Sequence, residues 1–188
     1  MTWLPFDLHP EYPVGGIPRE QLHERYGDAF HVRLKRSFEA AGLVYNPPPD
    51  VVPNTMGALS VTELARDRGL HRPVHDRLMH AYWEEARNIG DPEVLREVAV
   101  DVGLAEAEVA AAIEDGGLAD RVRASTAQAQ SIGVTGVPAF VLDNRLLVLG
   151  AQPRGVFEQA LAQLHEQAEV DAPSTGRESA EGDDTESA

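Results

Sequence analysis

The stretch Gly133-Val134-Thr135-Gly136-Val137-Pro138-Ala139-Phe140-Val141-Leu142 limits the possible folds of this chain more than any other. A glycine-rich turn passes through a Val-Pro bond into an apolar run. Asp143-Asn144 then turns that run into a second one, Arg145 to Leu149. Asn and Asp accept the left-handed backbone of a two-residue hairpin, so the pair predicts antiparallel strands over 139–142 and 145–149. Proline has no N–H to give a ladder, so Pro138 fits only the start or the edge of a strand. On these residues alone it reads as a trans proline that opens one. Gly150-Ala151-Gln152-Pro153 then leads into a last helix with Val156, Phe157, Ala160, Leu161 and Leu164 on its apolar face.

Ahead of this stretch the pattern is mostly helical. Trp3 to Leu8 reads as a short edge strand with Leu4, Phe6 and Leu8 on one face. Residues 9–18 hold three prolines and a Gly-Gly pair and read as loop. Helical spacing runs over 19–44, broken at Gly27, with Leu34, Phe38 and Ala41 in step. Residues 45–53 are loop, with three consecutive prolines. Asn54 is the expected N-cap of a helix to about Arg68 that stops at Gly69. A helix over about 74–88 turns Leu78, Ala81, Tyr82 and Ala86 inward. Asp91-Pro92 pairs a cap with a proline at the first helical position, opening a helix to about Val102. Further helices are expected over 105–115 and 118–132, separated by Gly116-Gly117. The order of strand, helices, hairpin and helix is an α+β layout with a large helical segment between sheet strands.

The chain has 31 acids against 16 basic residues, a net charge of -15. That disfavours nucleic acid and anionic membrane surfaces as partners. No apolar run reaches the roughly 18–20 residues of a membrane span. There is no signal-peptide pattern at Met1-Thr2-Trp3-Leu4-Pro5-Phe6, so a cytoplasmic location is expected. Residues 169–188 carry seven acids and one arginine. They have almost no apolar content and read as a disordered tail. The chain has no cysteine, which removes disulfides, thiolate metal sites and cysteine nucleophiles from these 188 residues. No P-loop, dinucleotide fingerprint or Gly-x-Ser-x-Gly elbow is present.

Taken together, the motifs resemble the DsbA-like thioredoxin-fold oxidoreductases, and among them the FrnE-type branch. The resembling residues are Trp3-Leu4-Pro5-Phe6-Asp7-Leu8-His9-Pro10, Tyr26-Gly27, Asn54-Thr55 with Ala58, Leu64-Ala65 with Gly69-Leu70, Ala81-Tyr82-Trp83-Glu84, Leu95 with Ala99 and Gly103-Leu104, Gly133 to Phe140, and Gly150-Ala151-Gln152. The resemblance implies one DsbA-type domain over 1–168. Its sheet parts would be about 1–18 and 134–168, with a helical insertion over about 19–133. It also implies a cis Val137–Pro138 bond, with Gly136, Val137 and Pro138 facing an extended protein or peptide substrate. Val137 would offer its N–H and C=O to that substrate.

The chain departs from the family in one large respect. The family's first strand and its Cys-x-x-Cys helix precede the segment that matches Trp3-Leu4-Pro5-Phe6. That βα unit, about 35–45 residues, is absent here. Residues 2–8 would have no parallel partner, and residues 138–142 would expose a bare apolar edge. Two explanations follow: a truncated or mis-called start, or a cysteine-free descendant that has lost redox function. The unpaired edge favours the first and makes a homo-oligomer through exposed edges an expectation. The chain is therefore read as a thiol–disulfide oxidoreductase family member with no catalytic residues of its own. The alternatives are a non-catalytic peptide-binding remnant and a glutathione-dependent isomerase or transferase relative. A smaller departure is Ala58-Leu59-Ser60-Val61, where the branch commonly carries Ala-His-Arg-Leu.

Asn54 is a helix cap on its residues alone. In related isomerases and kappa-class glutathione transferases an asparagine near this position faces glutathione, so Asn54 is also a candidate substrate-binding residue. That clan wants Ser-Asp where this chain has Ala151-Gln152, which disfavours glutathione. No cofactor is otherwise expected. His71, His75 and His80 have spacings that invite zinc. Pro73 is expected to mark a helix start between the first two and take them off one regular face, so no metal is assigned. Tyr82 and Trp83 read as packing residues. Glu84-Glu85 are adjacent and diverge on a helix, so they form no acid–base pair.

Overall fold

The computed structural model describes residues 1–46, 49–114 and 116–171; the side chains of Tyr26, Asp28, Phe30, His31, Glu169, Val170 and Asp171 are outside that description. In chain order the elements are β1 (Ile17–Pro18), α1 (Arg19–Tyr26), α2 (Asp28–Ala40), β2 (Val51–Val52), α3 (Met56–Asp67), α4 (His71–Trp83), α5 (Pro92–Asp101), α6 (Glu106–Glu114), α7 (Gly116–Ser131), β3 (Ala139–Leu142), β4 (Leu146–Leu149) and α8 (Arg154–Asp171). This is a helix-rich α+β fold with small antiparallel sheets. The described chain forms two compact units, one up to Thr135 and one from Gly136 onward.

In the first unit α3 is the central helix and packs against α4, α5, α6 and α7. Ala58, Val61, Leu64 and Ala65 of α3 meet Val74, Leu78, Ala81, Leu95, Val98, Val109 and Ala112 in one cluster. A helix surrounded in this way is buried around much of its circumference, and Ser60, Thr62 and Glu63 are buried as well. Glu63 is compensated by two arginines, Arg66 at 3.0 Å and Arg121 at 2.9 Å. Arg121 also reaches Asp67 at 2.6 Å and holds that carboxyl below its usual range. The Asp91 carboxylate accepts from the Glu93 N–H, and Pro92 occupies the first helical position of α5.

In the second unit β3 and β4 pair in the register Ala139↔Leu149, Phe140↔Val148, Val141↔Leu147 and Leu142↔Leu146. Asp143 and Asn144 have φ of 51° and 52°, the left-handed conformation their short polar side chains tolerate. The hairpin loop is longer by one residue than expected. Leu142 sits opposite Leu146, so Arg145 belongs to the loop, its N–H donating to the Leu142 C=O. Phe157 of α8 packs edge-on against Phe140, with ring centres 4.9 Å apart.

Several expectations are corrected. Trp3 to Leu8 is no strand; Pro5 and Asp7 are buried while Leu4 and Leu8 are exposed, the reverse of the expected face. The reason lies in the polar anchors. The Asp7 N–H donates to Thr126 Oγ1 at 2.9 Å, and Ser125 Oγ donates to the Pro5 C=O at 2.8 Å. Arg66 donates to the Trp3 C=O. Side chains of α3 and α7 thus take the place of a neighbouring strand.

Residues 9–18 and 45–53, expected as loops, contribute a two-residue ladder, Ile17↔Val52 and Pro18↔Val51. Helix α4 starts at His71, not after Pro73, because the first turn of a helix has no intrahelical use for an N–H at proline. It ends at Trp83, before Ala86 with φ 55°. Helix α7 includes Gly116 and Gly117. Helix α8 runs to Asp171; the remaining tail, 172–188, lies outside the described residues, as do Pro47, Pro48 and Asp115. No helix among the described residues is long and apolar enough to cross a membrane.

Candidate functional site

Helix α7 ends where the Gly133 N–H donates to Gln130 C=O and the Val134 N–H to Ala129 C=O. Gly133 has φ 93°, a backbone that glycine adopts without a Cβ penalty. Val134 is buried and pins the chain before it enters the second unit. Gly136, Val137 and Pro138 then run contiguously into β3, all exposed or half-buried. The Val137–Pro138 bond is cis.

Pro138 C=O accepts from the Gly150 N–H at 2.8 Å, which sets the phase of the ladder. Opposite residues in an antiparallel pair alternate between exchanging hydrogen bonds and facing away from each other. With Pro138 and Gly150 bonded, Phe140 and Leu142 also bond inward to β4. Ala139 and Val141 must therefore direct their N–H and C=O groups away from it. That outer edge of β3 pairs with no strand among the described residues. Val137, 53% exposed, makes no backbone hydrogen bond among them either. The side chains of Val137, of Val141 in β3 and of Leu149 in β4 are exposed. At the other end of β4, Gln152 Nε2 donates to the Leu149 C=O at 2.8 Å, so this glutamine braces the exit of the hairpin.

Asn54 lies in the first unit, just ahead of α3. Its Oδ1 accepts from the Met56 N–H at 2.9 Å, and its Nδ2 donates to the Tyr12 C=O at 2.7 Å. The helix cap itself is Thr55. Asn54 thus ties the 9–14 loop to the start of α3, with one amide hydrogen and the remaining lone pair not used in these bonds. Next to it in the same loop, His9 and Tyr12 stack at 4.4 Å, and His9 Nδ1 lies 3.0 Å from Glu11 Oε1. The Glu11 carboxyl is held low, chiefly by a backbone hydrogen bond and then by His9.

The histidine geometry also differs from expectation. Because α4 begins at His71, His71 and His75 lie one turn apart on one helix, with parallel rings 6.2 Å apart. Trp3 stacks on His75 at 6.1 Å. Burial, then Arg66 and His75, lower the His71 pKa below 6.5. No group of three or more His, Asp or Glu that could hold a metal occurs among the described residues. Tyr82 and Trp83 join Phe38 and Tyr45 in an aromatic cluster. The anchoring roles of Thr126 and Ser125 escape sequence reasoning, since hydroxyls in a polar helix carry no signal of a partner 119 or 120 residues away.

Comparison with known proteins gives a consistent result. A family model described as a DSBA-like thioredoxin domain matches residues 1–162. The uncharacterized protein YwbO of Bacillus subtilis (strain 168) is 26% identical over 164 residues, covering 86% of this chain and 80% of that protein. A crystal structure of the probable DsbA oxidoreductase SCO1869 from Streptomyces coelicolor is similar at 35% identity and a TM-score of 0.76. The match covers 86% of this chain and 74% of that one.

Proposed function

We propose that this chain, which belongs to the DSBA-like thioredoxin domain family, acts as the substrate-docking part of a thiol–disulfide oxidoreductase of the FrnE-type branch. The observation that carries this reading is the unused backbone of exposed Val137, one step ahead of β3. An extended peptide pairs with such a residue through main-chain hydrogen bonds, as in strand addition. Val137 is the residue best placed to pair with a peptide, since its N–H and C=O are unused and its side chain is exposed. Gly136 leaves the approach unobstructed, with nothing within 4 Å of where a Cβ would stand.

The redox step itself is a thiolate attack on a disulfide sulfur, giving a mixed disulfide and a leaving thiolate. These 188 residues have no thiol to make it. The reactive cysteine belongs to a strand–helix unit outside them, and the chain by itself binds substrate without turning it over. The absence of cysteine also favours a second reading, a peptide-binding module with no redox partner.

The test is a titration of the isotope-labelled chain with an extended, disulfide-containing peptide, followed by NMR. The expected result is perturbation centred on Gly136 and Val137, with no insulin-reducing turnover above buffer. Perturbation confined to other elements overturns the docking edge. Measurable turnover overturns the assignment of the thiol. If binding holds, restoring turnover with an added strand–Cys-x-x-Cys unit separates the first reading from the second.

A further inference from the structure

Helix α4 holds a pair of side chains that peptide docking at Val137 does not use. The sequence makes Pro73 a helix start that takes His71 and His75 off one face. In the structure α4 begins at His71, and Pro73 falls in its first turn, where proline costs no helical hydrogen bond. The two imidazoles therefore stand at i and i+4, on the same face one turn apart. Their rings are parallel within 4°, with centres 6.2 Å apart. Both residues are half-buried, so the rings lie against the protein and still reach solvent.

The ring nitrogens of this pair are unused. Neither imidazole has a hydrogen-bond or ion-pair partner among the described residues. Other histidines of the chain are engaged. His9 Nδ1 lies 3.0 Å from Glu11, and His80 lies 3.0 Å from Glu85 and 3.5 Å from Glu84. The cations around the pair are compensated: Arg66, whose charge acts on His71, is paired with Glu63 at 3.0 Å, and Arg72 with Asp76 at 3.3 Å. Burial, then Arg66 and His75, hold the His71 pKa below its usual value. His71 is thus the free base at neutral pH, the form in which an imidazole binds a metal.

We propose that His71 and His75 together bind one divalent transition-metal ion of the class that prefers imidazole: Cu²⁺, Ni²⁺ or Zn²⁺. Two histidines at i and i+4 are the spacing by which one helix face gives two nitrogens to one ion. Each metal–nitrogen bond is about 2.0–2.1 Å long. The rings turn toward a shared ion about χ2, a soft torsion in histidine. Once one imidazole is bound, the second binds intramolecularly, which raises the affinity over that of a lone histidine. No third His, Asp or Glu joins the pair among the described residues, so water fills the remaining positions. The chain has no cysteine to draw such an ion elsewhere. This inference rests neither on Val137 nor on the β3 edge.

The structure supplies its own reporter, because Trp3 stacks on His75 with ring centres 6.1 Å apart. The other tryptophan, Trp83, ends the same helix and is silenced by Trp83→Phe. The test titrates the full chain carrying that change with Cu²⁺, Ni²⁺ and Zn²⁺ at neutral pH. Open-shell Cu²⁺ should quench Trp3 and saturate at one ion per chain, with Ni²⁺ and Zn²⁺ binding more weakly. Zn²⁺ should shift the NMR signals of the His71 and His75 rings. His71→Gln leaves the Trp3–His75 stack in place and should weaken binding about 10²-fold, with unchanged circular dichroism. His80→Gln should bind as the unaltered chain does. Equal binding by His71→Gln overturns the proposal, as does an equal loss in His80→Gln. The same response to Mg²⁺ or Ca²⁺ overturns it too, since that would report the acidic surface and not the imidazoles.

Discussion

The N-terminal segment is held by hydroxyls instead of by a strand, and Thr126→Val tests that directly. Thr126 is 6% exposed, and its Oγ1 accepts the Asp7 N–H at 2.9 Å while donating to the Val122 C=O at 2.9 Å. Valine is nearly isosteric, so the change opens no cavity. The Val122 carbonyl keeps its helical partner, so its loss costs little. The Asp7 N–H, however, is left buried with no acceptor, which costs about 1–3 kcal/mol. For a domain of this size about 2 kcal/mol corresponds to a fall of about 4–8 °C in Tm. Ser125→Ala removes the neighbouring bond to Pro5 C=O, which is only partly buried and open to a replacing water. Its cost should be smaller, about 0.5–1.5 kcal/mol. Thermal unfolding by calorimetry gives the order, and hydrogen exchange at the Asp7 amide gives the location: protection lost in Thr126→Val and kept in Thr126→Ser. If Thr126→Val melts within about 0.5 kcal/mol of wild type, or Ser125→Ala costs more, the hydroxyl anchor is not what holds the segment.

Two further outcomes follow from particular residues. His71 has a lowered pKa in the folded chain, so the unfolded chain binds more protons; stability should be full above pH 6.5 and decline as pH falls through 6.5 toward the folded pKa. His71→Gln should flatten the Tm profile over that window, and an unchanged slope would assign it to other groups. Gly16 has φ 76°, and an added Cβ would sit 2.3 Å from the Val52 carbonyl oxygen. Gly16→Ala should therefore cost about 2 kcal/mol or more and expose the β1–β2 amides to exchange; near-wild-type stability would show that the ladder yields easily.

The legible parts of the fold are those set by local chemistry. Asp91-Pro92 caps α5 through its own side chain, and Gly69 and Gly103 stop helices with φ of 72° and 99°. Asp143-Asn144 turns the hairpin with both residues left-handed. What escaped depends on distant partners. Alternation at 3–8 shows that two faces exist but not which is buried; Thr126 and Ser125 decide that from more than a hundred residues away. Proline at 73 looks like a boundary because its cost in a helix depends on where the first turn begins, and that is fixed by the packing of Val74 and Leu78. Gly136, Val137 and Pro138 were visible as a motif.

The open edge of β3 and the exposed apolar residues of the hairpin together constrain the element that completes the sheet more than either does alone. A single added strand would take up the outward N–H and C=O groups of Ala139 and Val141. It would leave Val137, Val141 and Leu149 exposed, at 53%, 46% and 41%. In this register Val141 and Leu149 share the face opposite Phe140, the face that α8 does not cover through Phe157. A sheet buries each apolar face against another layer, so an exposed strip next to an open edge calls for a strand to pair and a helix to cover. A strand followed by a helix is the smallest element that does both. In the proposed oxidoreductase it is also the element that carries the thiol, so completing the sheet and supplying the chemistry become one event.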